Sequence, residues 1–293
     1  GFGWGSGGTS PPCNGSLNYG IYRSYNASMD EGWTRWVVEQ YRFMIPGYYR
    51  YCSVKYESVL NSQIHAGLSK DSLGTIIFPD QSPNQILNGY AKGSMPDEYT
   101  GGVGKEGVEN LKKFVEAGGT LVFLNRSSDF AIEQFKLPIK DITRGLARKD
   151  FFIPGSILRT ELDLTHPITK GMPAKSIAWF ENSPVFELSE PPAVAGGLTP
   201  PQDNTLSMAQ RQPPANAGGY NIRVIARYPS DPKKILLSGW ALGAEKIAGK
   251  AALIEVTMGK GKIVLFGFRP QYRGQSLATF PLLFNAISQN HLR

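Results

Sequence analysis

Two short runs decide most of what this chain can fold into. Leu73–Phe78 (LGTIIF) and Thr120–Leu124 (TLVFL) are apolar almost without interruption over the length of a strand. A strand with no polar alternation must be covered on both faces. Between them lies Gly104–Ala117, in which Val108, Leu111, Phe114 and Val115 share one side of a helix that Gly118-Gly119 stops. Buried strands alternating with amphipathic helices predict a three-layer α/β fold with a mainly parallel sheet. In such sheets ligands and reactive groups collect outside the carboxyl ends of the strands. Those ends read Arg23–Asn26, Asp80-Gln81 and Asn125–Asp129.

The remaining segments fit around that centre. Residues 1–17 have the Gly, Ser and Pro content of a linker. Asn18–Tyr25 reads as a strand. Ser28-x-x-Glu31 is a capping box opening a helix over about 29–42, with Trp33, Trp36, Val37, Gln40 and Tyr41 as its buried stripe. A strand is expected at Tyr48–Lys55, a helix at Ser58–Leu68, and a short helix from the turn at 125–129 to about Phe135. Residues 150–190 read as strands around a turn-rich loop, His166–Pro173, and 190–220 as a long excursion rich in Pro, Gly, Ala and Gln. Strands return at Ile222–Tyr228, Ile235–Trp240, Ala251–Val256 and Lys262–Phe268, and Ser276–Ile287 closes the chain as a helix. The expectation is one domain over 18–288, with a β-rich and loop insertion at 150–220 and a tail at 289–293.

Several function classes drop out. With 41% hydrophobic and 19% charged residues the 293-residue chain is globular, and no run approaches the ~18 apolar residues of a membrane span. The net charge is +7, but residues 1–90 are balanced and the excess beyond them is scattered, with no run longer than Lys112-Lys113 or Lys233-Lys234. A nucleic-acid partner is therefore not expected. Two cysteines, Cys13 and Cys52, exclude a four-cysteine zinc site, and their spacing does not decide whether they pair. His65, His166 and His291 lack metal-ligand spacing, so no metal or other cofactor is expected in this chain. Residues 101–107 (GGVGKEG) follow no strand, and Lys105 precedes Glu106, so they are not a phosphate loop.

The segment LVFLN-RSS-DFAIEQF has the strand–turn–helix form that presents a nucleophile at a sheet edge. Its candidates are Ser127 and Ser128, with His166 as the one histidine placed to serve as base. The simpler reading, which we prefer, has Ser128 capping the helix and His166 as a turn residue.

Four blocks, YRSYNASMDEGWTRWVVEQY, IIFPDQ, residues 95–138 and residues 236–287, resemble the C-terminal, class I glutamine amidotransferase-like domain of large secreted bacterial zinc carboxypeptidases. The resemblance covers most of 18–288 and implies a flavodoxin-like fold, a secreted or periplasmic location and an upstream peptidase domain holding the zinc. Active amidotransferases place a Cys at the elbow and a His-Pro-Glu step after a late strand. Here the elbow reads Asn125-Arg126-Ser127-Ser128 and the late step Arg269-Pro270-Gln271. Arg is no base near neutral pH, and Gln cannot orient an imidazolium as a carboxylate does. The resemblance therefore implies a degenerate triad and no glutaminase activity.

What remains at the sheet edge is Arg23, Asp80, Gln81, Asn125, Arg126, Asp129, Arg269, Gln271 and Arg273. Guanidiniums in such a setting bind carboxylates and phosphates. The expected ligand is an anionic small molecule, a peptide C-terminus or an acidic sugar. The rival is internal pairing of Arg23, Arg126 or Arg269 with Asp80 and Asp129. The expected function is a non-catalytic accessory binding domain. The alternatives are a hydrolase using Ser127 or Ser128, and an assembly module self-associating through Trp4, Trp179 and the 190–220 loop. The degenerate-triad reading requires the tips after Leu124 and Phe268 to adjoin.

Overall fold

The computed structural model describes residues 17–41, 54–189 and 220–289. Both cysteines, Trp4, the expected linker and almost all of the 190–220 excursion lie outside them, as do most of the strand expected at 48–55 and residues 290–293.

Five strands form the parallel half: β1 (Leu17–Tyr22), β2 (Val54–Val59), β3 (Thr75–Phe78), β4 (Thr120–Leu124) and, late in the chain, β12 (Gly261–Phe266). Their spatial order is β2-β1-β3-β4-β12, the flavodoxin-like arrangement. The sheet continues from β12 through antiparallel strands β11 (Ala251–Met258), β9 (Asn221–Arg227) and β6 (Pro154–Leu162). Strands β7 (Lys175–Glu181) and β10 (Leu236–Ser238) pair with β6, and a ribbon of β5 (Ile139–Asp141) and β8 (Phe186–Leu188) joins β11. The β-rich second half is thus an extension of one sheet.

Side chains of β3 and β4 divide between two cores, as covered strands require. Ile77, Val122 and Leu124 pack with Val37 and Val38 of α1 (Met29–Tyr41) and with Phe284 and Ile287 of α6 (Phe280–Ser288). Ile76, Phe78, Leu121 and Phe123 face the other way. They meet Ile64 of α2 (Asn61–Ala66), Ile86 of α3 (Pro83–Asn88), Leu111 and Phe114 of α4 (Gly104–Glu116) and Phe130 of α5 (Ser127–Gln134). Phe78 stacks on Phe123 at 4.6 Å between centroids. Truncating such a ring costs about 3–5 kcal/mol.

Local departures from expectation have local causes. The buried stripe of α1 is Thr34, Val37 and Val38, while Gln40 is exposed and Trp36 is 39% exposed. Trp36 instead covers Gly274, where an added Cβ would come within 2.4 Å of the indole. The helix expected at 58–68 shrinks to α2 because Ser58 and Val59 belong to β2, in register with Ile21 and Tyr22. Helix α3 was not expected. Its signal is a capping box in which Ser82 Oγ accepts from Gln85 N and Gln85 Oε1 accepts from Ser82 N, with Pro83 in the first turn. No helix among the described residues is long and apolar enough to cross a membrane.

Candidate functional site

The elbow forms as the strand–turn–helix pattern predicts. β4 ends at Leu124, Asn125 takes a left-handed conformation (φ 56°), and α5 begins at Ser127. β12 runs beside β4 with Phe266 opposite Leu124, and Asn125 N donates to Phe266 O at 2.8 Å. The two tips therefore adjoin.

What they bring together is an ion cluster centred on Asp80, just past the end of β3. Asp80 Oδ1 accepts from Asn125 Nδ2 (2.9 Å), Arg126 N (3.0 Å) and Arg126 Nε (3.0 Å). Its Oδ2 accepts from Arg126 Nη2 (2.7 Å) and Arg269 Nη2 (2.8 Å). Burial acts to raise the Asp80 carboxyl, but Arg126, Arg269 and Asn125 together outweigh it and hold the group below its ordinary value. Arg269 is itself buried. Its Nε donates to Asp30 Oδ2 (3.2 Å) and its Nη1 to the Glu181 carbonyl (2.7 Å). Burial is the main reason Asp30 is held above the ordinary carboxylate range, against the pull of Arg269 and with the push of Asp80.

Gln271, fully buried, donates through Nε2 to Thr34 Oγ1 at 3.2 Å, and Thr34 Oγ1 in turn donates to the Asp30 carbonyl at 2.6 Å. Asn125 Oδ1 and Gln271 Oε1 are buried acceptors with no partner. The cluster forms one wall of a cleft of about 310 Å³, which Trp33, Glu181, Tyr272 and Arg273 also line. Of the four non-glycine residues with positive φ among the described residues, Asn182 and Arg273 line this cleft and Asn125 lies directly behind it. Strained backbone gathers where the surrounding structure holds a site in place.

The internal pairing weighed from sequence thus forms in part: Arg126 and Arg269 pair with Asp80, but Arg23 and Asp129 take no part. Arg23 is exposed and lines a neighbouring cleft with Gln81, whose Nε2 donates to the Asn26 carbonyl at 3.0 Å. Asp129 sits on α5, away from the cleft lining. Burial and the nearby Asp141 push its carboxyl up to about 7. Trp179 stacks on Tyr272 within the molecule, at 4.0 Å.

The serine arrangement is not formed. Ser127 and Ser128 are fully buried, and their hydroxyls donate to backbone carbonyls. Ser127 Oγ reaches Phe78 O and Leu124 O, and Ser128 Oγ reaches Phe266 O at 3.0 Å. His166 lies near the opposite end of the strands. Its Nδ1 accepts from Ile168 N (3.1 Å), which leaves Nε2 facing Glu255 Oε1 at 3.3 Å. Glu255 also pairs with Lys262, which lies opposite Thr120, the first residue of β4. The elbow follows the last residue of that strand, so roughly 13 Å of β4 separates the two places.

Sequence reasoning missed Asp30, Thr34 and Glu181 as cluster members. Asp30 and Thr34 stand in an ordinary helix start, and Glu181 reaches Arg269 only through the pairing of the antiparallel half. Among the described residues no group of three or more His, Cys, Asp and Glu side chains is placed to hold a metal ion.

No protein-family model matches the chain, and no curated protein matches it in sequence. Solved structures do match it in shape. A protein described as ThuA-like from Parabacteroides merdae ATCC 43184 aligns at TM-score 0.50 and 11% identity, over 94% of this chain and 90% of that one. A protein described as a GMP synthase subunit from Thermoplasma acidophilum aligns at 0.48 and 11%, over 94% of each chain. PurLQS from Thermotoga maritima aligns at 0.49 and 11%, over 94% of this chain and 99% of that one. At such identities the likeness is one of fold, and it agrees with the flavodoxin-like strand order above.

Proposed function

We propose that this chain is a non-catalytic binding domain that holds a carboxylate-bearing ligand in the cleft beside Arg269. One observation carries the reading. The charged groups at the elbow and after β12 are largely engaged with one another, leaving Arg126 Nη1 and the exposed Arg273 to meet a ligand. Arg273 carries no ion pair among the described residues, and its guanidinium lies 5.2 Å from the Tyr272 ring centroid. A guanidinium so placed offers paired N–H donors to a carboxylate.

The same residues support the non-catalytic part of the reading. Where an amidotransferase needs a thiolate, an imidazole and a carboxylate, this chain has Asn125-Arg126, Arg269 and Gln271, and its serines lack both exposure and a base. The sequence blocks support a wider reading, in which the domain is an accessory to a secreted or periplasmic zinc carboxypeptidase and the metal belongs to another domain.

Titration with galacturonate, followed by the fluorescence of Trp33 in the cleft wall, tests the binding. Saturation is expected, weakened about tenfold or more in Arg273→Ala. Equal affinity of the variant overturns the reading. Steady release of ammonia from glutamine, or labelling of Ser127 or Ser128 by a fluorophosphonate in folded protein, overturns the non-catalytic part.

A further inference from the structure

The cleft beside Arg269 continues past its own walls. A second cleft, of about 290 Å³, adjoins it on one side and shares Ala27, Ser28 and Gln81 with it. A third, of about 510 Å³, adjoins it on the other and shares Glu181 and Asn182. The three follow one another along the carboxyl edge of the sheet, from the loop after β1, past the ends of β3, β4 and β12, to the segment after β7. Adjacent strands lie ~4.8 Å apart, so the path from β1 to β12 alone is roughly 14 Å. The outer clefts lengthen it at both ends. This is a groove for a chain, not a pit for a single small molecule.

The groove repeats one combination of groups. Each cleft has one arginine with no carboxylate partner among the described residues: Arg23 in the second, Arg273 in the central one and Arg148 in the third. Each also has an aromatic ring. Tyr25 is 38% exposed beside Arg23, Tyr272 lies under Arg273, and Phe152 lies under Arg148 at 4.1 Å. The exposed side-chain amide of Asn182 stands between the central and third clefts, able to meet ligand hydroxyls. We propose that the groove binds an acidic oligosaccharide, a run of uronic-acid units whose carboxylates meet Arg23, Arg273 and Arg148 in succession. The inference rests on the carboxylate-binding reading above and extends it from one unit to a chain.

An acidic peptide fits less well. A peptide that adds to a sheet is held by main-chain hydrogen bonds along a strand edge. This groove crosses strand ends, and the groups it offers are side chains. Arginines spaced along the groove, with an exposed amide between two of the clefts, suit the repeated carboxylates and the hydroxyls of such a sugar chain.

Calorimetry with galacturonate, trigalacturonate, hexagalacturonate and hexaglutamate tests this, using the whole chain and the surface variants Arg23→Ala and Arg148→Ala. Hexagalacturonate is expected to bind more than about tenfold tighter than galacturonate. Each variant is expected to weaken the hexamer about three- to tenfold while leaving galacturonate unchanged. If galacturonate binds and the hexamer gains nothing, or the hexamer ignores both variants, the groove is overturned and the central cleft stands. Hexaglutamate binding as tightly as hexagalacturonate overturns the choice of sugar. If no probe binds, both readings fall together.

Discussion

Two buried ion clusters stand at opposite ends of the same parallel strands, and they differ in what surrounds them. At the carboxyl end, Asp80 gathers Asn125, Arg126 and Arg269 beside an open cleft with left-handed backbone at Asn182 and Arg273. At the amino end, Glu255 holds His166 and Lys262, and Lys262 Nζ donates to Gln289 Oε1 at 2.7 Å. None of the clefts described above is lined by those residues. The contrast shows that a buried charge network does not by itself mark a site. The neighbouring cavity, the strained backbone and the uncommitted guanidinium single out the carboxyl end.

Removing the central acid of each cluster breaks the comparison most severely. Asp80→Ala strands the buried Arg269, which costs about 3–5 kcal/mol in chemical denaturation, and Glu255→Ala removes the shared partner of His166 and the half-buried Lys262. Only Asp80→Ala, which frees Arg126 and Arg269 beside the cleft, should also change carboxylate affinity. Loss of binding in Glu255→Ala, at a denaturant concentration where it remains folded, would erase the distinction between the two ends.

Acid sharpens it. Burial would raise Glu255, but the hydrogen bond and charge of His166 and the ammonium of Lys262 bring it down to about 2. Its folded value lies below its unfolded one, so its stabilisation is present above about pH 4.5 and is lost as pH falls toward 2. Urea unfolding between pH 6 and 2 should therefore show a shallower decline in Glu255→Gln than in the unaltered chain.

Asp129 carries the opposite sign. Its carboxyl is pushed up to about 7, so the cost of ionising it is absent below about pH 4 and grows as pH rises through 7. After allowance for its partial exposure, Asp129→Asn should stabilise the fold by about 2 kcal/mol at pH 8 and leave it unchanged at pH 3.5. Urea midpoints at the two pH values check this.

The smallest effect is expected at the elbow. Ser128→Ala removes one buried hydrogen bond to Phe266 O, worth about 1 kcal/mol, and should leave galacturonate affinity intact. A comparison of melting temperature and affinity for this variant separates a packing serine from a reacting one.

The sequence made the centre of this fold legible and left its periphery obscure. β3, β4 and α4 could be read because uninterrupted apolar runs and a Gly-Gly stop leave few alternatives. The end of β2 could not, because its pairing with β1, not the local pattern, makes Ser58 and Val59 strand. Trp36 misled because a large apolar ring need not enter the core when a glycine on the facing loop offers it a seat. At the site, Asp80, Asn125 and Arg126 were read from the strand ends, and Arg269 and Gln271 through family resemblance. Asp30 and Glu181 were not, since only the folded chain brings them to Arg269. Asp129 was expected to pair with an arginine of the cleft, yet it lies on α5, where Asp141 is its strongest charged influence.

A crystal structure with galacturonate bound tests the central claim most directly. An intact sugar is expected in the cleft beside Arg269, its carboxylate within hydrogen-bond distance of Arg273 and Arg126 Nη1, with the Asp80 cluster undisturbed behind it. A cleft that stays empty at saturating galacturonate, or a sugar seated away from both arginines, would contradict it.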